Sequence, residues 1–439
     1  MSRVGVLARY CGAATLARLA DEMLTPGLVL LVQLRTGHPQ EVGLVTGAWT
    51  LPSLVSGPVL GAWLGRLHRR ALALAAGQLV VALSAVALVM TVGHTPIWVP
   101  ILVAAVGGVV VPGTSGGFTS LVPSLAPGSA FGRLNRMDAT TFNLSSIAGP
   151  ALVGALAATI GPGPALLVVS LIAIAGAAAA LSIPGSPPVP GTIPSVPGTP
   201  SVPGTPTVPG TPTVPGSASG QDTDRRVGIL ATVRAGLRQV VSSPPLRGAT
   251  VASVIGWGSV GMLAVVLPLF AGKLDGHPTY SGYLWTALEL GCLLSTLTLA
   301  RRETRRPDRR VLICTAAFGV VLVSWPFAGS LLVALPLLAI AGIASGPTLP
   351  ALFATRQRYT PPALLSQVST TGASLKVGAF ALGSVVGGAL APGLGVGRVI
   401  LLVAAAQLLA AGAGWLAGRE PGSARDTDKD TRIAVGDGR

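Results

Sequence analysis

Hydrophobic and polar positions along this 439-residue chain do not alternate; they come in blocks. Apolar runs of about 20 residues, long enough for an α-helix to cross roughly 30 Å of hydrocarbon, are separated by short breaks rich in Gly, Pro and Arg. The pattern predicts membrane-spanning helices near 10–33, 41–64, 72–92, 97–121, 139–160 and 163–183. A second group follows near 248–271, 281–300, 311–328, 331–353, 366–391 and 395–417. Gly and Pro inside these runs do not argue against helices, because neighbouring helices satisfy the backbone groups they free. The expectation is an all-α membrane protein of about twelve transmembrane helices.

The runs fall into two six-helix bundles, residues 1–183 and 246–418, and the halves resemble each other. At a constant spacing of 235, Gly107, Pro112 and Pro127 meet Gly342, Pro347 and Pro362, all around the fourth run of each half. Duplication of a six-helix unit explains both the count and the spacing, and such repeats characterise secondary transporters. Between the halves, residues 184–224 carry VPGT at Val189, Val196, Val202 and Val208. Pro, Gly and Thr at near six-residue spacing cannot bury a core, so a disordered linker is expected. Residues 225–245 place Val227, Leu230, Val233, Leu237 and Val241 at helical spacing, opposite Arg226, Arg234 and Arg238. That is a basic amphipathic helix suited to a cytoplasmic membrane surface. Residues 419–439 form a polar tail.

Composition sharpens the reading. Half of the residues are hydrophobic and only 10% are charged, where a soluble domain carries about 25%, so the lipid bilayer is the solvent. The net charge of +15 does not imply nucleic acid, because no soluble domain gathers it into a face. Position explains it instead. Arg66, Arg69, Arg70, Arg133, Arg136, Arg301, Arg302, Arg305, Arg306, Arg309, Arg310, Arg356 and Arg358 fall in alternate loops, and only Arg35, Lys273 and Arg398 fall in the others. Lys and Arg accumulate on the cytoplasmic side, so both termini are expected there, in a multi-pass protein of the cell membrane. Asp21 and Glu22 interrupt the first run, which is therefore read as a retained helix rather than a cleaved signal.

Cys11, Cys292 and Cys314 lack disulfide or metal spacing, and no nucleophile, metal or nucleotide constellation suggests an enzyme or a cofactor. What remains is charge inside the spans, which is costly and functional by default. Arg18, Asp21 and Glu22 lie in the first run, Asp138 opens the fifth, Glu289 is central in the eighth and Lys376 lies in the eleventh. Spacings of three and four let Asp21 and Glu22 both reach Arg18 on one helix face. Burial favours the neutral acid, whereas an adjacent guanidinium favours the ionised one. Two acids against one base leave one carboxylate over as a proton carrier; Glu289 and Lys376 could pair with each other.

Two further motifs bear on family. Gly61-Ala62-Trp63-Leu64-Gly65-Arg66-Leu67-His68-Arg69-Arg70, between the second and third runs, is similar to the G-x-L-x-D-R-x-G-R-R pattern of the major facilitator superfamily. Gly61, Arg66, Arg69 and Arg70 match it; Gly65 and His68 replace the acid and the second glycine. Gly149-Pro150-Ala151-Leu152-Val153-Gly154 resembles the helix 5 motif of drug and metabolite exporters in that superfamily, and the spaced Gly378, Gly383, Gly387 and Gly388 a packing interface. The Arg18-x-x-Asp21-Glu22 cluster resembles the branch that includes the enterobactin exporter.

The resemblance implies two pseudo-symmetric bundles rocking about a midplane site. The leading reading is proton-coupled export of a small-molecule substrate by a monomer, with Asp21, Glu22, Arg18, Glu289 and Lys376, the charges within the spans, as the coupling candidates. In the helices that line the family's cavity, Thr114, Ser115, Thr119, Trp257, Ser259, Ser345 and Thr348 offer mild polarity, which suits an amphipathic organic molecule. Import, uncoupled diffusion, and a non-transporting receptor or assembly role on the same scaffold stay open.

Overall fold

The computed structural model describes residues 3–67, 69–125, 131–183, 237–299, 306–361 and 365–419. Among them every regular element is helical. The first half contains α1 (Arg3–Thr36), α2 (Pro39–Thr50), α3 (Ser53–Arg66), α4 (Arg70–Thr91), α5 (Trp98–Gly108), α6 (Val122–Leu125), α7 (Phe131–Ile160) and α8 (Pro162–Leu181). The second contains α9 (Pro244–Asp275), α10 (Ser281–Leu299), α11 (Pro307–Leu322), α12 (Leu331–Ser345), α13 (Thr348–Tyr359), α14 (Leu365–Leu394) and α15 (Val396–Ala417). The VPGT repeat, residues 225–236 of the amphipathic segment, and residues 420–439 lie outside the described residues. Residues 237–242 are helical, with Val240 buried and Leu237 and Val241 exposed.

Three of the expected spans are not continuous helices. The second breaks at Leu51-Pro52 into α2 and α3. The fourth breaks after Gly108, passes through a π-helical turn at Gly113–Gly117 and resumes as α6. The tenth breaks at Gly346-Pro347 into α12 and α13. Proline removes a helical donor and disfavours helix in the residue before it, which places each break. Eight segments among the described residues are long and apolar enough to cross a bilayer, one of them running from Leu331 to Tyr359 through the break between α12 and α13. The other expected spans are the broken α2–α3 and α5–α6 pairs and the single helices α1 and α10, which carry charge.

The halves are packed alike. α1 lies against α7 and α8, as α9 lies against α14 and α15; α4 packs on α8, as α11 packs on α15; α2 packs on α5, as α10 packs on α12. The first core gathers Leu28, Val81, Leu88, Leu166 and Val169, and the second gathers Leu267, Phe318, Trp325, Leu338 and Val403. Outside, Leu83, Leu171, Ile313, Leu332 and Leu409 are exposed. An apolar exterior of this extent is stable only against lipid.

The spacing of 235 has a physical meaning in the structure. Gly107 and Gly342 each admit the neighbouring helix where a side chain would clash, with Trp49 and Ser84 in one half and with the Leu288 carbonyl in the other. Pro112 and Pro347 each follow a helix break, while Pro127 and Pro362 lie outside the described residues. A second repeat is legible in the chain. Gly37-His38-Pro39 with Gly43 matches Gly276-His277-Pro278 with Gly282. Gly37 and Gly276 adopt φ of 70° and 75°, the left-handed conformation that ends a helix at glycine, and Pro39 and Pro278 open the next element.

Candidate functional site

Between the halves lies a cavity of about 690 Å³. α1 contributes Asp21, Glu22, Thr25 and Pro26; α2 and α3 contribute Trp49, Thr50, Ser53, Leu60 and Leu64. From the second half come Trp257 and Pro268 of α9, Ser281, Trp285 and Glu289 of α10, and Lys376 and Phe380 of α14. The wall is mostly apolar and aromatic, with three carboxylates, one ammonium and a few hydroxyls.

Glycines bring helices of the two halves together near the connections at Gly37, Gly161, Gly276 and Gly395. Gly43 and Gly47 of α2 lie against α14, where a Cβ on Gly43 would sit 3.2 Å from the Gly388 Cα and one on Gly47 would sit 2.8 Å from Val385. The mirror seam joins α7 to α10, where a Cβ on Gly154 would lie 2.8 Å from the Gly282 Cα. Toward the opposite end, which carries the start of α1 and the end of α15, the cavity wall continues to Leu60, Leu64, Gly117 and Ser120.

The helix 5 motif packs against a side chain of the cavity wall. Gly149 of α7 abuts α1 at Glu22 itself: a Cβ there would be 2.8 Å from the Glu22 Cβ and 3.2 Å from the Met23 amide nitrogen. Gly149 thus lets the two helices approach closely enough to set Glu22 in the cavity wall. Gly383 of α14 does the same against Gly258 of α9, beside Trp257. Pro150 lies within α7 and its carbonyl faces Gly282 across the seam.

Arg18 does not bind Asp21 or Glu22. Its Nη2 lies 2.8 Å from Oδ1 of Asp138 on α7, and its Nη1 donates to the Asp138 carbonyl at 2.8 Å and to Thr141 Oγ1. Thr119 donates to Asp138 Oδ2 at 2.9 Å and Tyr10 donates to Oδ1 at 2.6 Å. Arg18 also lies over the ring of Phe142 at 5.4 Å. A buried guanidinium requires a carboxylate and further acceptors for its remaining donors, and the face of α7 supplies both. Asp21 and Glu22, on the cavity side of α1, supply neither. Arg18 is 2% exposed and is not part of the cavity lining.

The expected Glu289–Lys376 pair is not formed either. Lys376 Nζ lies 3.8 Å from the centroid of the Trp257 ring, and Trp257 in turn packs on Phe380 at 6.2 Å between centroids. An ammonium over an indole face is attracted by the ring quadrupole, by about 2 kcal/mol where water is excluded. Asp21, Glu22 and Glu289 thus line the cavity with no ion pair to a side-chain cation among the described residues.

The polar residues expected to line the cavity are mostly used elsewhere. Thr114 accepts from Gln78, Thr119 belongs to the Asp138 network, Ser259 is bound by Gln407, and Ser345 contacts Cys292. Trp257 alone of that set appears in the lining; nothing is described of the Ser115 side chain. Trp49 and Trp285 escaped sequence reasoning, although tryptophan inside a span, in a chain with only 4% aromatics, was the available signal. In the loop motif, Gly61 and Arg66 fall in the last turns of α3, Arg69 is exposed, Arg70 opens α4 and is buried, and His68 lies outside the described residues.

Residues 10–375 match the family described as Major Facilitator Superfamily. The chain is 27% identical over 403 residues to an uncharacterized MFS-type transporter, y4rN, of Sinorhizobium fredii, covering 88% of this chain and 89% of the relative. It is also 27% identical over 391 residues to the multidrug efflux pump Tap of Mycolicibacterium fortuitum, covering 86% and 87%. Among solved structures it is similar to a bacterial homologue of the human lysosomal transporter Spinster in an inward-facing, unoccupied conformation, with a TM-score of 0.70, 14% identity and coverage of 95% and 97%. The nucleoside transporter NupG aligns with a TM-score of 0.71 at 11% identity, covering 94% and 100%.

Proposed function

Because the chain belongs to the major facilitator superfamily, and is a transporter rather than an enzyme, we propose that it is a proton-coupled exporter of small amphipathic organic molecules, placed among the drug and metabolite exporters. It works as a monomer in the cell membrane with both termini in the cytoplasm. The observation that carries this reading is the central cavity, in which three carboxylates without a side-chain cation share a wall with three tryptophans. Carboxylates held at membrane depth without a partner exchange protons as water access changes sides. The aromatic wall holds an apolar cargo.

In this orientation the glycine seams close the external end, and the cavity is reached from the cytoplasm, where an exporter collects its cargo. Rocking of one half on the other would part the α2–α14 and α7–α10 seams and expose the same residues outside. The likeness to a multidrug efflux pump and the helix 5 motif both favour export over import. The Gly61–Arg70 loop serves as the cytoplasmic gate.

Inverted membrane vesicles test the proposal in one assay. An imposed pH gradient, acidic inside, should drive accumulation of amphipathic compounds in the lumen, and a protonophore should abolish it. Accumulation indifferent to the gradient would point to a facilitator, and flux in the opposite sense to an importer. No flux for any compound, with protein correctly inserted, would leave the receptor role.

A further inference from the structure

We infer that Arg356 is a positioning residue for Lys376: seated in the place that Gly372 leaves open, its guanidinium keeps the Lys376 ammonium off its own helix and over Trp257 in the cavity wall. The inference rests on the reading of this cavity as the transport site, and it names the residue that fixes one side chain of the wall.

Side chains of a helix lean toward its N-terminus, so a long one comes to lie over the residue four positions earlier. For Lys376 that residue is Gly372 of α14, which has no side chain of its own to fill the space. The space is filled from α13. A Cβ on Gly372 would sit 2.9 Å from the Arg356 Cζ, and Arg356 is 4% exposed. Its Nη1 donates to the Ser369 carbonyl at 3.4 Å, and its Nε has no hydrogen-bond partner. No carboxylate forms an ion pair with it among the described residues. A buried cation without a counter-ion repels a second cation, because little solvent screens it. Size and charge thus both close the default direction to Lys376. Its ammonium lies instead 3.8 Å from the centroid of Trp257, across on α9.

The first half builds the same frame with the roles exchanged. Gly149, Gly154 and Gly161 recur 234 residues later as Gly383, Gly388 and Gly395, and Gly37-His38-Pro39 recurs 239 residues later as Gly276-His277-Pro278. By those spacings Asp138 corresponds to Gly372, Phe142 to Lys376 and Arg18 to Trp257. Each half sets a cation on an aromatic ring at this place, Arg18 on Phe142 at 5.4 Å and Lys376 on Trp257 at 3.8 Å. The cation comes from α1 in one half and from α14 in the other. In the first half the Asp138 carboxylate holds the cation in the protein. In the second a guanidinium stands where that carboxylate would be, and the cation is turned toward the cavity it lines.

The chain has three lysines, Lys273, Lys376 and Lys429. Reductive methylation with carbon-13 formaldehyde, which preserves their charge, therefore gives the full-length protein in detergent a simple NMR spectrum. Lys376→Arg identifies the Lys376 signal. We expect that signal upfield of the Lys273 signal, shielded by the indole face, and Trp257→Leu should abolish the displacement. Arg356→Met should remove at least half of it, and Arg356→Lys should keep most of it. Gly372→Asp, which puts a carboxylate at the place equivalent to Asp138, should also remove it, by pairing with Arg356. Elution as a single species on gel filtration separates these shifts from loss of fold. A displacement that persists in both Arg356→Met and Gly372→Asp, a parent signal that is not displaced, or a Lys376 that mass spectrometry shows to resist methylation would each overturn the inference. Vesicle flux keeps it apart from the transport reading. Arg356→Met and Lys376→Met should each lower flux several-fold and together no further, whereas additive losses would overturn the positioning role. No flux in the parent would defeat transport, while the spectrum still decides where Arg356 holds Lys376.

Discussion

Two faces of one helix handle charge in opposite ways. On α1, Arg18 turns toward α7 and is matched by Asp138, Thr119 and Thr141, and Tyr10 completes the shell of the carboxylate. One turn further on, Asp21 and Glu22 line the cavity and form no ion pair among the described residues. The same residue types within five positions thus do two jobs. A buried ion pair held by further hydrogen bonds is fixed, because losing either partner strands a charge. A carboxylate left facing a cavity is, on the proposed function, free to change its partner as the surroundings change.

The contrast breaks most severely at Asp138. Asp138→Ala should cost about 3–5 kcal/mol by stranding Arg18, seen as a large fall in the thermal unfolding midpoint in detergent. Replacing both partners, Arg18→Met with Asp138→Leu, should recover most of it. A mild effect of the single substitution would mean that Arg18 finds Asp21 or Glu22 instead, and that the two faces are not distinct.

The glycine seam comes next. Gly282→Leu inserts a side chain where even a Cβ would lie 2.7 Å from the Gly154 Cα, and overpacking of that kind costs roughly 1–3 kcal/mol. Because the cost is incurred only while the seam is shut, the equilibrium should shift toward the state open at that end. An impermeant maleimide applied to Ser281→Cys, in a chain with the three native cysteines replaced by serine, should react several-fold faster.

Gly149→Ala is smaller in stability, about 1 kcal/mol, but it presses directly on Glu22. Its expected signature is reduced flux at nearly normal expression, measured in the vesicle assay. The smallest stability change belongs to Glu22→Gln, which removes an unmatched charge and should stay within about 1 kcal/mol of the parent or exceed it. Flux driven by the pH gradient should nevertheless fall at least tenfold and lose its dependence on pH. A variant that is as impaired in folding as Asp138→Ala would place Glu22 on the structural face after all.

The bundle count, the duplication and the helix 5 motif were legible because each depends on local pattern: run length, spacing, and glycine where helices touch. The breaks at Pro52 and Pro112 were signalled by proline, but their extent was not, since a helix continues past proline when neighbours satisfy the freed carbonyls. The site was legible only in part. Glu22, Glu289 and Lys376 stood out as charges in apolar runs, whereas Trp49 and Trp285 looked like any aromatic residue in a span. The pairing of Arg18 was misread because helical spacing describes one helix, and its partner came from another.

The sequence by itself therefore determined that this chain crosses a bilayer about twelve times, that its halves repeat, and which few charges it places at membrane depth. Hydrophobic length, loop charge and glycine spacing are properties of neighbouring residues and are written along the chain. Only the tertiary structure decided which of those charges are neutralised and which remain available. That depends on which helix faces meet, and the meeting of α1 with α7 and of α9 with α14 is set by packing across more than a hundred residues.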